Sequence, residues 1–143
     1  MVSQNLISNT NISNSTWTAY WYKPTITAGK TDPFGGKNAY EMASKDNNYP
    51  KVNESGIIYP GTLTVGKKYT LSAWLRTTGS PIKGRIGFSD YNRILFSLTD
   101  TNWHYINFTT TITDNSQKRM FQVVETTPKN SPWQIAYPRV EAV

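Results

Sequence analysis

The chain has no cysteine and one histidine, His104. The first absence excludes a disulfide framework and a thiolate zinc site. The second removes the paired-histidine metal motifs and leaves a histidine-based catalytic dyad with one candidate. No apolar run approaches the ~20 residues that cross a bilayer as a helix, and Met1-Val2-Ser3-Gln4-Asn5 does not read as a secretory signal. Membrane insertion is not expected. Leu and Ala are sparse, and no segment carries a 3.6-residue apolar stripe, so helix is expected only in short turns.

What remains is a chain of 143 residues with 13% aromatics. That length supports one domain with a real core, spanning residues 1–143, and the aromatic content argues against disorder. Lys and Arg number 15 against 9 acids, a net charge of +6. The charge is scattered, with doublets only at Lys67-Lys68 and Lys118-Arg119, whereas nucleic-acid binding needs concentrated charge. No nucleic-acid partner is expected. A general attraction to anionic surfaces such as teichoic acid, lipopolysaccharide or an acidic capsule fits better.

Thr, Ser, Asn, Tyr and Trp are abundant, and apolar residues alternate in short segments between turn signals. That is the pattern of a two-sheet antiparallel β-sandwich. The clearest strand is Tyr69–Arg76, with Tyr69, Leu71, Ala73 and Leu75 on one face and Thr70, Ser72, Trp74 and Arg76 on the other. Further strands are expected at Arg85–Phe88, Ile94–Leu98, Trp103–Thr111, Arg119–Thr126 and Trp133–Glu141. The N-terminal third reads as a strand over Trp17–Thr27 broken at Pro24, then Asn38–Ala43 and Gly56–Tyr59, with a surface loop over Ser44–Ser55. Tyr69, Leu71, Leu75, Phe88, Ile106 and Phe108 are expected in the core.

The residues offer little catalytic chemistry. His104 follows Trp103 on a strand, and no serine sits in a nucleophile elbow. Glycoside hydrolysis needs two carboxylates across a cleft. Asp32, Asp46, Glu54, Asp90, Asp100 and Asp114 fall mostly in turns, where Asp bonds its own backbone, and nothing pairs the strand residues Glu41, Glu125 and Glu141. Gly35-Gly36-Lys37 lacks the spacing of a phosphate loop and reads as a turn. Asn-x-Ser/Thr triplets begin at Asn11, Asn14, Asn53 and Asn107, and in so Asn- and Thr-rich a chain they indicate no glycosylation. The chain is not expected to be an enzyme.

The aromatics carry more information. Trp74 lies opposite Leu71 and Leu75 and shares a face with Arg76; Tyr105 and Asn107 lie opposite Ile106 and Phe108. Trp17, Tyr20, Trp21 and Tyr22 crowd one short segment. Aromatic faces stack on sugar rings while Arg and Asn bond hydroxyls, so the pattern suits sugar or surface recognition. The alternative is a second layer of packing or a subunit interface.

The order of several segments resembles one family, the jelly-roll carbohydrate-binding modules with a galactose-binding-domain-like fold. These are attached to glycan hydrolases and are common in bacteriophage tail proteins. Asn5-Leu6-Ile7-Ser8-Asn9 with the following Trp17 is similar to the family's opening, and Gly36–Met42 to its glycine-led second strand. Leu63–Arg76 resembles the family's strand of glycine, basic residue and Tyr-Thr-apolar-Ser. Asn102–Phe108 is similar to its later Trp-led strand, and Tyr137-Pro138-Arg139-Val140-Glu141 to its ending in phage modules.

The resemblance implies a jelly roll acting as a non-catalytic glycan-binding module. Its partner would be a cell-surface polysaccharide, and its location a phage tail or virion surface, or otherwise the extracellular part of a larger protein. Trp74 and Tyr105 would stack, Arg76 and Asn107 would bond hydroxyls or anionic groups, and Tyr22 and Tyr91 would contribute from loops. The alternative is a structural virion protein gripping other virion subunits with the same fold. Many family members hold calcium with an acid near the opening and Asp residues in the last strand. Here those places read Ile12-Ser13 and Ala136-Tyr137-Pro138-Arg139, so neither metal nor cofactor is expected.

Overall fold

A computed structural model describes residues 4–21, 24–43, 54–127 and 131–143. They form the strands β1 (Thr18–Trp21), β2 (Thr25–Lys30), β3 (Ala39–Ala43), β4 (Ser55–Pro60), β5 (Lys68–Thr77), β6 (Ile82–Ser89), β7 (Asn92–Leu98), β8 (His104–Thr111), β9 (Arg119–Glu125) and β10 (Trp133–Ala142), with no helix among them. Every strand pairing is antiparallel. Sheet I has the order β1-β4-β9-β6-β7 and sheet II the order β2-β3-β10-β5-β8. The two sheets pack face to face, as the alternating pattern predicts.

The core lies between them. Trp17 is fully buried, its ring 4.9 Å from that of Tyr59 and 5.7 Å from that of Phe121, and its indole N–H donates to the Asn9 carbonyl. Tyr69, Leu71, Leu75 and Phe88 are buried, as their phase predicts. Ile106 and Phe108 point inward but are only partly buried. The reason is topological: β8 is the edge strand of sheet II, so its inner face lies at the rim of the sandwich.

One expectation needs a larger correction. The segment Trp17–Thr27 is two strands belonging to different sheets, rather than one interrupted strand. Trp21 leaves β1 in the left-handed region at φ 57, and Pro24, with no N–H to give to a ladder, precedes the start of β2. Most of the loop expected over Ser44–Ser55 lies outside the described residues, though Ser55 already opens β4 and is buried.

The opening segment is tied to the last strand by one side chain. The Asn5 amide donates to the Pro138 carbonyl at 3.2 Å and its oxygen accepts from Val140 N–H at 3.1 Å, beside a backbone bond from Leu6 to Val140. A carboxamide thus joins the segments that the resemblance would join through calcium. EDTA is therefore expected to leave the melting temperature unchanged; a drop of several degrees would show that carbonyls here hold a metal.

Candidate functional site

The outward face of sheet II gathers the aromatics that the core leaves out. On β5, Tyr69, Leu71, Ala73 and Leu75 must face the core, so Trp74 and Arg76 are turned out by the two-residue repeat. Trp74 pairs in register with Tyr105 of β8 on one side and Ala136 of β10 on the other, and Ala136 pairs with Ala39 of β3. The row therefore runs from two rings to two alanines, both of them fully covered by neighbouring groups. Phe34, from the turn between β2 and β3, lies edge-on to Trp74 with centroids 5.5 Å apart. Tyr137 follows at 5.7 Å from Phe34, and Tyr105 lies 5.0 Å from Trp74. The result is a continuous strip, Tyr105–Trp74–Phe34–Tyr137. Phe34 is 70% exposed and Tyr105 51%.

Two irregular backbone features position its far end. The register of β10 shifts between Ala136 and Arg139, and Tyr137 there adopts φ 54, a conformation that costs a non-glycine residue of order 1–3 kcal/mol. The other feature is the turn at Asp32-Pro33-Phe34-Gly35-Gly36, where Gly35 takes φ 91 as few other residues could. Asp32 organises it. Its carboxylate accepts from the N–H groups of Phe34, Gly36 and Asn38, from the Asn38 amide, and from the Tyr137 hydroxyl at 2.8 Å. A Cβ at Gly36 would stand 2.7 Å from an Asp32 oxygen, so only glycine fits there without displacing the carboxylate.

Burial pushes the Asp32 carboxyl up, but the bonds from Tyr137, Phe34 and Asn38 favour the anion and hold it down at about 2. A depressed carboxylate stabilises the fold above its ordinary pKa of 3.8, and that contribution fades as pH falls toward 2. The melting-temperature difference between the wild type and Asp32→Asn is therefore expected to stay constant from pH 7 to about 5 and to shrink below about 4. A difference that persists undiminished at about pH 2.5 would contradict this account.

Polar groups flank the strip on both sides. The Arg76–Gln134–Glu41 row lies on one side, with the Gln134 amide donating to Glu41 at 3.2 Å. The Arg139–Ser72–Asn107 row lies on the other. There Arg139 is ion-paired with Glu141 at 3.2 Å, and the Asn107 amide donates to the Tyr105 hydroxyl at 3.3 Å. Rings that stack, with donors and acceptors beside their edges, form a surface suited to an elongated ligand with alternating apolar and polar faces.

Of the residues expected at a site, the structure brings Trp74, Arg76, Tyr105 and Asn107 together on this face. Tyr91 is 57% exposed but sits in the turn between β6 and β7, which belong to sheet I, away from the strip's sheet. Tyr22 lies outside the described residues. Phe34 and Tyr137 were missed. The one signal for Phe34 is a large aromatic inside a Pro- and Gly-rich turn, and for Tyr137 a proline directly after it within a strand.

Other acids among the described residues are engaged away from this face. His104 bonds Asp100 at 2.9 Å. On sheet I, burial raises the Asp90 carboxyl, but Gln122, Gln117 and Tyr20 donate to it and Arg119 lies 3.2 Å away, so it is held below the usual carboxylate range. Glu54 pairs with Arg85 at 2.7 Å.

No family model matches the sequence, and no curated protein matches it. Solved structures do. A family 16 carbohydrate-binding module has a TM-score of 0.64 at 18% identity, over 95% of this chain and 99% of that one. The CBM22-1 xylan-binding domain from Paenibacillus barcinonensis gives 0.62 at 13% identity, over 99% and 93%. Tailspike protein 4 of bacteriophage CBA120, in its enzymatically active domain, gives 0.63 at 12% identity, over 97% of this chain and 21% of that one. The likeness is one of fold. This chain has the jelly-roll β-sandwich of carbohydrate-binding modules.

Proposed function

We propose that the outward face of sheet II binds a polysaccharide chain without cleaving it, as a carbohydrate-binding module. The aromatic strip Tyr105–Trp74–Phe34–Tyr137, with polar rows beside it, carries this reading. The fold shared with carbohydrate-binding modules supports it. So does the state of the acids: among the described residues of this face, Asp32 is bonded to Tyr137 and Asn38, Glu41 to Gln134 and Glu141 to Arg139, so none stands as a free carboxylate pair of the kind glycoside hydrolysis uses. Trp74, Arg76, Tyr105 and Asn107 are the proposed contacts, joined by Phe34 and Tyr137.

The tailspike likeness supports a finer proposal, that the module belongs to a phage particle and recognises host surface glycans. Otherwise it serves as the extracellular part of a larger protein. The test is affinity electrophoresis of the chain against a panel of bacterial surface and plant polysaccharides. Retardation that Trp74→Ala abolishes supports the reading. Self-association through the strip, lost in the same variant and accompanied by no glycan retention, would instead favour a subunit contact in the virion.

A further inference from the structure

Arg76 stands two residues from Trp74 on the same face of β5, partly buried, its guanidinium 5.5 Å above the Trp103 ring. Its Nε is buried and has no hydrogen-bond partner. The chain contains five arginines. Arg85 pairs with Glu54, Arg93 and Arg119 with Asp90, and Arg139 with Glu141. Arg76 alone pairs with no carboxylate among the described residues. The acid in its row, Glu41, lies two strands away and is taken by Gln134, the residue between them. Asp100, near the start of β8, is taken by His104.

A guanidinium that buries its Nε without a hydrogen bond and has no counter-charge is unfavourable, and a sheet of this kind could have placed a neutral residue there. Its planar fork matches a carboxylate with two parallel bonds, which a hydroxyl cannot offer. Stacking on Trp103 holds the fork rigid beside the strip. We infer that Arg76 recognises a carboxylate on the bound glycan, so that the ligand is an acidic polysaccharide with a uronic-acid-type sugar next to the residue stacked on Trp74. The inference rests on the glycan reading and narrows it to one chemical class.

The experiment compares polysaccharides that differ only in charge. Polygalacturonate, alginate and glucuronoxylan are each run beside the carboxyl-reduced form, which keeps the linkage and loses the anion. Dextran sulfate reports diffuse attraction, and all runs are made at about 0.15 M salt to screen it. At least one acidic form is expected to be held about tenfold more tightly than its reduced form. Arg76→Gln should erase that preference and Arg76→Lys keep part of it, both melting with the wild type.

Equal retention of acidic and reduced forms would overturn the inference and leave the glycan reading standing. So would a preference for acid that Arg76→Gln leaves intact, or one that dextran sulfate matches through the scattered lysines. Retention of none of the polysaccharides, acidic or reduced, would overturn both.

Discussion

Polysaccharide binding is expected to fall about tenfold or more in Trp74→Ala, while the melting temperature drops by only a few degrees. Trp74 sits inside the strip, between Tyr105 at 5.0 Å and Phe34 at 5.5 Å, so its removal splits one continuous platform into separate rings. Losing an interface anchor of this kind commonly costs over ~1 kcal/mol of binding. The fold loses less than it would from a fully buried tryptophan. The indole lies outside the hydrophobic core, and its two ring contacts are worth about 0.5–1.5 kcal/mol each. Melting and binding should be measured on the same preparation. Intact binding with a large loss of stability would assign Trp74 to packing and remove the main residue of the proposed site.

The opposite pattern is expected for Trp17→Ala: a loss of about 3–5 kcal/mol in stability, or about 10 °C or more in melting temperature, with binding by the folded fraction retained. Trp17 is fully buried against Tyr59 and Phe121, and its removal also strips the Asn9 carbonyl of its donor. It lies in the core, apart from the strip on the outward face. Chemical denaturation of both variants separates the two roles. A shift below about 3 °C for Trp17→Ala would mean that the surrounding side chains close over the vacated space.

Sheet II's β5 was legible because one strand carries both the core and the site. Leu71, Ala73 and Leu75 set the phase, and Trp74 and Arg76 stand out by breaking it. The same logic placed Tyr105 and Asn107 on β8. It overstated the burial of Ile106 and Phe108, because alternation along a strand says which way a side chain points and not whether the strand is central or at an edge. The passage from β1 to β2 was misread for a related reason: the change of sheet rests on the backbone at Trp21 and on pairing partners far along the chain. Alternation along a strand places neither Phe34, which lies in a turn, nor Tyr137, which lies where the repeat of β10 breaks. Their meeting depends on a hydrogen bond between Asp32 and Tyr137, 105 positions apart in sequence, and on a bulge whose one local sign is Pro138.

That single carboxylate also bears on how a ligand would be received. Asp32 holds the Phe34 turn and the Tyr137 bulge at the same time, so the two rings farthest from β8 are fixed relative to each other before anything binds. A platform ordered in advance spares the complex much of the side-chain and loop entropy that a mobile site loses on association. The expected calorimetric signature is a heat-capacity change no larger than the apolar area covered by the ligand, with no added contribution from ordering of the protein. Affinity would then be tuned through dissociation, since a surface that need not rearrange gives the encounter little to wait for.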